Sequence, residues 1–478
     1  MILRARDIAR LSTRMLPFAD AASEGLPLGQ LLRLSLFQVS VGMASVLLLG
    51  TLNRVMIVEL KVAAIVVALM IAIPVLVAPF RALLGFRSDT HRSAIGWRRV
   101  PFLWFGTLWQ FGGLAIMPMG LVLFTGTQAV DAPQAAELGA GLAFLLTGLG
   151  MHMTQTAGLA LAADRATDET RPRVVALLYV MFLVGMAVAS LIFGALLRDF
   201  SELRLIQVVQ AAAVLTIALN LVALWKQESV RPSTEAERAA PRPAFRDAWA
   251  DFASGGDAGR LLATVFAGTM AFSMQDVLLE PYGGEILGLS VASTTRLTAM
   301  WSVGALAGFA LAARWLARGV DPYRLCACGI VAGLGAFSAV IFAGPLLSPA
   351  LFYAGTFAIG LGGGLFGVAT LTAAMTMRVG AAAGRGLALG AWGAAQASAA
   401  GLSILVGGAL RDVVDALAMS GALGEALRAP ATGYSVVYHV EIALLFATLI
   451  VLGPLVRLRP QSDPDRDGAR FGLADFPT

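Results

Sequence analysis

Two acidic side chains inside one apolar stretch are the first residues of this chain that could do chemistry. Asp276 and Glu280 are four residues apart, so they share one face of any helix built through them. A charge inside a membrane costs roughly 2.5–3.5 kcal/mol on insertion scales, so such residues need a partner or have a function. Arg54, followed by Glu59, stands at the matching end of an earlier apolar stretch. We predict that Arg54 pairs with Asp276 or Glu280 and clamps an outer mouth shut.

One of the three histidines, His152, lies about halfway along an apolar stretch. A neutral imidazole can bind the magnesium of a chlorin ring as its axial ligand, or hydrogen-bond a substrate. The amide oxygens of Gln38, Gln155 and Gln275 are hard donors that can serve in the same way. These four residues are the predicted pigment or substrate contacts. The alternative for His152 is a structural hydrogen bond to a helical neighbour.

A basic loop between two apolar stretches resembles the loop signature of facilitator transporters. It has a Gly, an Asp four residues on, and a second Gly followed by arginines. The Asp can cap or pair across helix ends, while the arginines bind carbonyl ends and lipid phosphates. We interpret the loop as a cytoplasmic latch, with an ordinary basic loop as the alternative. Its predicted latch residues are Gly85, Asp89, Arg92, Arg98 and Arg99.

Catalysis has no support in the sequence, and we predict that the protein is not an enzyme. There is no nucleophile–base pair, no metal-ligand cluster and no nucleotide motif. The glycines between Gly360 and Gly364 are better explained by close packing of membrane helices. The only cysteines, Cys326 and Cys328, lie in or beside an apolar stretch and indicate neither a disulfide framework nor a zinc site.

The composition requires a membrane as solvent, since 58% of the 478 residues are hydrophobic and 14% are charged. Apolar runs near twenty residues select helices over strands. We predict an all-α polytopic membrane protein with twelve transmembrane helices in two six-helix pseudo-repeats, as in the major facilitator superfamily. The predicted spans are 34–52, 62–84, 100–124, 138–161, 174–197, 205–225, 260–280, 297–317, 324–344, 350–375, 387–410 and 436–456.

A repeated sequence motif supports the duplication of a six-helix unit. The run from Gly194 to Asp199 closes the fifth segment, and the similar run from Gly408 to Asp412 closes the eleventh. With the N-terminus inside, 28 of the 35 Lys and Arg residues fall on the inner side, so both termini are predicted to be cytoplasmic. The predicted units are an N-terminal segment with an amphipathic helix (1–33), two six-helix bundles (34–225 and 260–456), a linker with an interfacial helix (226–259) and a tail (457–478).

Four long sequence segments together resemble those of one protein family. They run from Leu34 to Gly42, from Thr51 to Glu59, from Phe86 to Ser93 and from Gln275 to Gly283. Over roughly residues 27–456 the chain is similar to the PucC/LhaA family, the bacteriochlorophyll delivery branch of the major facilitator superfamily. The sequence of residues 34–59 and 85–99 is more similar to PucC than to LhaA.

The resemblance implies a role in assembling light-harvesting antenna complexes in a purple phototrophic bacterium, with the peripheral antenna LH2 favoured over the core antenna LH1. It implies that the protein binds bacteriochlorophyll or delivers it to the antenna α and β polypeptides. The other partners it implies are the pigment-synthesis and membrane-insertion machinery and membrane lipid, without nucleic acid. The implied location is the bacterial inner, intracytoplasmic membrane.

Two alternatives remain open at this point. A proton-coupled secondary transporter of a small solute would need a well-placed carboxylate, for which Asp276 and Glu280 are the candidates. A pigment-free scaffold would instead hold antenna polypeptides on its outer helix faces.

Overall fold

The structure is a computed structural model, and the regular secondary structure of the residues that it describes is helical. This confirms the predicted all-α class and a chain that crosses a membrane several times. The described residues are 21–23, 25–76, 97, 99–124, 133–167, 170–228, 256–316, 318–376 and 385–456. The predicted amphipathic helix near the N-terminus, the interfacial helix of the linker and the C-terminal tail lie outside them.

Among the described residues, a helix lies at the position of each of the twelve predicted segments. In the described part of the chain, nine are long and apolar enough to cross a membrane, and the other three are α2, α4 and α11. The helices are α1 (Leu28–Glu59), α2 (Ala64–Leu76), α3 (Val100–Phe124), α4 (Pro133–Arg165), α5 (Arg171–Leu196), α6 (Glu202–Leu224), α7 (Gly256–Ser273, resumed over Leu279–Glu285), α8 (Val291–Leu316), α9 (Pro322–Ala343), α10 (Pro349–Thr376), α11 (Arg385–Met419) and α12 (Ala431–Leu452).

The helix ends differ from the predicted spans where local chemistry, and not hydropathy, decides them. α1 begins at Leu28 and not at residue 34, because Pro27 precedes it as the N-cap residue and cannot continue a helix backwards. The boundary predicted between residues 33 and 34 therefore falls inside a helix. α11 continues to Met419, nine residues past the predicted end, because charged residues at a membrane surface can extend a helix into water.

The seventh helix is interrupted where the sequence predicted an unbroken span. α7 stops at Ser273, passes through a 3-10 turn over Met274–Val277, and resumes at Leu279. Pro281 explains the break, since it has no N–H to give to the carbonyl of Val277 four residues earlier and its ring crowds that carbonyl. The interruption leaves backbone groups in the core that need partners from elsewhere.

The second half of α1 is wound more loosely than an α-helix. Val46–Leu52 and Val55–Glu59 are π-helical, and such turns are frequent at functional sites. Hydrogen bonds in a π-helix join residues five apart, so residue i+5 returns to the side of residue i. The loosely wound part of α1 lies against the interrupted part of α7, where Nδ2 of Asn53 is 2.8 Å from the Val277 carbonyl oxygen.

The duplicated phrase marks two matching contacts between the halves. A Cβ on Gly194 of α5 would lie 2.9 Å from the carbonyl oxygen of Ala292 in α8. A Cβ on Gly408 of α11 would lie 2.9 Å from the carbonyl oxygen of Ala64 in α2. In both places, the missing side chain lets one helix press on the first turn of a helix in the opposite half. The pseudo-twofold relationship predicted from sequence is therefore visible in the packing.

Candidate functional site

The break in α7 is closed by side chains from two other helices. The backbone N–H of Gln275 donates to Oε1 of Glu441 in α12, at 2.6 Å. The carbonyl of Val277 accepts from Nδ2 of Asn53 in α1, at 2.8 Å. An open donor and an open acceptor of the interrupted helix are thus both satisfied in a buried setting. We call Asn53, Gln275, Val277, Glu280 and Glu441 the α7 break cluster.

Glu441 is a site residue that the sequence reasoning missed. Its side chain is fully buried, and its second carboxylate oxygen, Oε2, has no hydrogen-bond partner. A signal was present, because Glu441 is the only charged residue in the predicted span 436–456. An isolated carboxylate in a membrane helix is costly and marks a function or a partner. The partner was unpredictable, since the broken turn of α7 is not visible in the sequence of α12.

Glu280 is the second buried carboxylate of the α7 break cluster. Its Oε1 accepts from the hydroxyl of Thr298 in α8, at 2.7 Å, while Oε2 has no partner. A Cβ on Gly50 of α1 would lie 2.3 Å from Glu280 Oε1, so only a glycine lets α1 approach this carboxylate. Asp276 has a different environment: it is less buried and accepts from the Gln275 side-chain amide at 2.5 Å.

The predicted partner of Arg54 is wrong. The guanidinium of Arg54 pairs with Glu59, and not with Asp276 or Glu280. The π-helical winding explains this, because it brings the residue five positions on to the side of Arg54. Arg54 still contacts the second half, since it donates to the carbonyl of Leu289 at 3.2 Å. Its role in closing the outer mouth stays a prediction, and any such closure would act through a backbone carbonyl.

A further charged group on the same side of the molecule also escaped prediction. Arg411 of α11 donates to Glu285 at 2.7 Å and to Asp412 at 3.0 Å. Tyr434 of α12 donates to the same oxygen of Glu285 at 2.8 Å. Asp412 in turn accepts from the backbone N–H of Ile65, at 2.7 Å, and so caps α2 from the opposite half. The signal was the repeated Arg-Asp of the duplicated phrase.

Gln38 and Gln155, two of the predicted pigment or substrate contacts, lie side by side. The amide nitrogen of Gln155 in α4 donates to Oε1 of Gln38 in α1, at 3.3 Å. The amide nitrogen of Gln38 is buried without a partner, which leaves both of its N–H donors available to a bound molecule. His152 lies one turn before Gln155 and is partly exposed, and its backbone carbonyl accepts from Thr156 at 2.7 Å.

Gln275 does not join that group. Its side chain bonds Asp276 and the carbonyl of Phe272 within α7. It lies at the level of Asn53, and Asn53 is fifteen residues from Gln38 along α1, roughly 20 Å at the rise of a helix. One flat pigment ring therefore cannot take its axial ligand from both levels. Gln38, Gln155 and His152 form one candidate site, the α1–α4 polar group, and Gln275 belongs to the α7 break cluster.

Of the predicted latch residues, only Arg99 is described; Gly85, Asp89, Arg92 and Arg98 lie outside the described residues. Arg99 is buried at the start of α3 and pairs with Asp164 of α4, with 2.9 Å between Nε and Oδ2. Its backbone N–H and that of Val100 donate to the carboxylate of Glu228 at 3.0 and 2.9 Å. Arg99 thus holds the ends of helices within the first half, and the latch remains a prediction.

The chain can now be placed among known proteins. The model of the PUCC protein family matches residues 51–459. The chain belongs to the PUCC protein family. The match spans both halves and includes the α7 break cluster, Arg54 and the α1–α4 residues His152 and Gln155, while Gln38 precedes it. The family resemblance drawn from the residues is confirmed.

Individual relatives extend the likeness to the whole chain. A protein of Rhodobacter capsulatus, described as an uncharacterized protein in the puhA-bchM intergenic region, is 62% identical over 100% of both chains. Protein PucC of Rhodovulum sulfidophilum is 55% identical over 85% of this chain and 90% of its own. The bacteriochlorophyll synthase 44.5 kDa chain of Rhodobacter capsulatus is 30% identical over 80% of this chain and 88% of its own.

Solved structures confirm the architecture. A mutant of the nucleoside transporter NupG superposes with a TM-score of 0.63 at 15% identity, covering 88% of this chain and 99% of that one. A POT family transporter, solved with a thioalcohol-conjugated peptide, gives a TM-score of 0.64 at 13% identity, covering 92% and 100%. At such identities the likeness concerns the fold alone, and it is the predicted fold of the major facilitator superfamily.

Proposed function

We propose that the protein is a light-harvesting antenna assembly factor that binds bacteriochlorophyll and delivers it to the antenna α and β polypeptides. The observation that carries the proposal is its likeness, over most of both chains, to proteins named PucC, at 49–55% identity. We propose LH2 as the client ahead of LH1 on the same ground. The protein is not an enzyme in this proposal, and it works as a carrier on a transporter fold.

The α1–α4 polar group is the site we propose for the pigment. A pigment of this kind buries most of its surface against apolar side chains and is oriented by a few polar anchors. His152 supplies an imidazole that can bind the pigment magnesium, and Gln38 supplies a buried amide nitrogen that has no hydrogen-bond partner. The ring of Phe37 lies against Gly158 between these helices, so the surroundings of the polar group are apolar.

The proposed membrane location and partners follow from bacteriochlorophyll as the proposed bound molecule. The protein lies in the inner, intracytoplasmic membrane with both termini in the cytoplasm, which is the orientation that the Lys and Arg distribution predicts. The partners are the antenna α and β polypeptides, together with the pigment-synthesis and membrane-insertion machinery. Membrane lipid surrounds the protein, and nucleic acid has no part.

The first test is the absorption spectrum of the protein purified in mild detergent from a pigment-making host. Bound bacteriochlorophyll is expected, and its band should shift or disappear in His152→Leu. His439→Leu is the matched control, because this exposed histidine of α12 has its Nδ1 2.6 Å from the Ser435 carbonyl and lies away from the site. Pigment unchanged in His152→Leu would overturn the ligand, and no pigment in the native protein would favour the scaffold.

The second test asks whether LH2 or LH1 depends on this protein for its assembly. A deletion strain should lose LH2 absorption, keep LH1 absorption and keep normal solute uptake. Loss of LH1 with LH2 retained would reverse the proposed client, and the 62% identical relative, whose description names no antenna, makes this comparison necessary. Normal levels of both antennae would overturn the proposed function.

Proton-coupled transport of a small solute is the second candidate, and the α7 break cluster favours it. Two buried carboxylates, Glu280 and Glu441, each keep one oxygen without a partner beside an interrupted helix. Interrupted helices and buried acids of this kind are found at the substrate and ion sites of secondary transporters. Solute flux lost in Glu441→Gln and Asp276→Asn, with antenna levels unchanged, would select this function over assembly.

A further inference from the structure

A groove on the outside of the first half has an apolar lining with one arginine. It has a volume of about 380 Å³ and lies where α1 begins and α6 ends. Three of its lining residues are apolar and the fourth is an arginine: Leu221, Val222, Trp225 and Arg33. By the Lys and Arg distribution, this end of the molecule is the cytoplasmic surface of the membrane.

Arg33 in the groove, and the basic side chains near it, have no acidic partner among the described residues. Arg33, Arg165 and Lys226 form no ion pair in the described part of the chain. Burial and the neighbouring charge of Arg33 lower the pKa of Arg165, so these two guanidiniums are close enough to repel each other. Two cations held together without a carboxylate favour an anion between or beside them.

The hydrogen bonds of these arginines leave donors of Arg33 open. Arg165 donates to neutral groups, the carbonyl of Gly25 at 2.9 Å and the side chain of Gln30 at 2.7 Å, and also to Gln227. Arg33 donates from one terminal nitrogen, Nη2, to the Trp225 carbonyl at 2.6 Å. Its Nε is buried without a partner, and its other terminal nitrogen, Nη1, makes no hydrogen bond to the described residues. Because a guanidinium offers donors in a fixed fork, this arrangement suits an oxyanion such as phosphate.

The apolar wall of the groove identifies the source of that phosphate. Leu221, Val222 and Trp225 are 46%, 48% and 63% exposed, and they form a strip along the end of α6. A free anion gains nothing from contact with apolar side chains, whereas an acyl chain buries apolar surface against them. Tryptophan also prefers the depth at which lipid headgroups lie.

We propose that this groove binds a phosphate-bearing anionic membrane lipid, with its phosphate on Arg33 and an acyl chain along Leu221, Val222 and Trp225. The site is separate from both the α1–α4 polar group and the α7 break cluster. A lipid held here joins the start of α1 to the end of α6, two helix ends that Arg33 already bridges through the Trp225 carbonyl.

The test is a titration of delipidated full-length protein in detergent with dioleoylphosphatidylglycerol, followed by native mass spectrometry. The native protein should bind one lipid tightly. Arg33→Gln should weaken that lipid about tenfold, the effect of one lost charge-assisted hydrogen bond. Arg260→Gln is the matched control, because Arg260 is an exposed arginine near the start of α7 and should leave the affinity unchanged.

A second variant keeps the proposal testable if Arg33→Gln does not fold. Trp225→Ala retains the backbone carbonyl that Arg33 contacts but removes part of the apolar wall, so it should weaken the lipid by about threefold to tenfold. Equal affinity in Trp225→Ala and the native protein would overturn the acyl-chain wall. Equal affinity in Arg33→Gln would overturn the phosphate contact. Inorganic phosphate that displaces the lipid at similar concentration would overturn the lipid as the source.

Discussion

Asn53 and Val277 form a hydrogen bond that joins the two halves of the protein at the break in α7. The side-chain amide of Asn53 donates to the Val277 carbonyl at 2.8 Å, and its Nδ2 also reaches the Leu49 carbonyl at 2.9 Å. Val277 accepts an external donor because Pro281, four residues on, has no N–H to offer. An asparagine of one half therefore completes a helix of the other, and this contact ties α1 to α7.

Removing that donor should destabilise the protein. Asn53→Leu leaves the Val277 carbonyl buried without a donor, which should lower the free energy of unfolding by about 1–3 kcal/mol. The measurement is SDS-induced unfolding in mixed micelles, followed by circular dichroism. Pro281→Ala gives α7 the N–H it lacks, so in that background Asn53→Leu should cost less. Equal costs in the two backgrounds would show that Pro281 is not the reason for the contact.

Glu441 should matter chiefly as a hydrogen-bond acceptor for α7. Glu441→Gln keeps an oxygen for the Gln275 N–H, whereas Glu441→Leu removes it and leaves a buried donor open. We therefore expect Glu441→Leu to lower the free energy of unfolding by about 1–3 kcal/mol relative to Glu441→Gln. Amide hydrogen exchange should rise around Met274–Val277 in the leucine variant only. If both variants exchange like the native protein, Glu441 does not hold the break.

The close approach at Gly408 should not tolerate a side chain. A Cβ there would lie 2.6 Å from the Cβ of Ala68 and 2.9 Å from the Ala64 carbonyl, so Gly408→Ala must separate α11 from α2. We expect a destabilisation of about 1–3 kcal/mol, the typical effect of overpacking. Gly393→Ala is the matched control in the same helix, because nothing lies within 4 Å of its Cβ position. It should be neutral or stabilising, since alanine favours a helix by roughly 1 kcal/mol over glycine.

The charge pairing at Arg54 can be measured with two double-mutant cycles. Arg54→Gln combined with Glu59→Gln should show a coupling energy below about 1 kcal/mol, because the Glu59 side chain is 41% exposed and solvent screens the pair. Arg54→Gln combined with Glu280→Gln should couple less, since Glu280 bonds Thr298 instead. The reverse order would restore the pairing that the sequence predicted. Both cycles use the unfolding assay in mixed micelles.

The membrane helices were largely predictable because each one is encoded in the hydropathy of its own segment. A run of about twenty apolar residues has few alternatives to a helix in lipid, whatever its neighbours are. The predicted span 100–124 coincides with Val100–Phe124, and 350–375 differs from Pro349–Thr376 by one residue at each end. Prediction failed where one residue changes the course of a helix. The predicted span 260–280 was treated as one continuous helix, although Pro281, the residue just after it, interrupts α7.

The site residues were predictable as types but not as partners. Gln38 and Gln155, two of the predicted pigment or substrate contacts, bond each other across α1 and α4, and their binding role stays a prediction. Gln275 was grouped with the pigment contacts, and Arg54 was assigned Asp276 or Glu280, on the assumption of regular helices. The 3-10 turn in α7 and the π-helical turns in α1 change which side chains face each other. Glu441 was overlooked because its function depends on that same irregularity.

By itself, the sequence determined the class of the protein, the order of its helices, the duplication and the family. These follow from hydropathy and from repeated phrases, and they depend on residues close together along the chain. Only the tertiary structure decided which polar groups meet: Asn53 with Val277, Glu441 with Gln275, and Asp412 with Ile65. The physical reason is that a buried polar group must find a partner wherever the packed helices provide one.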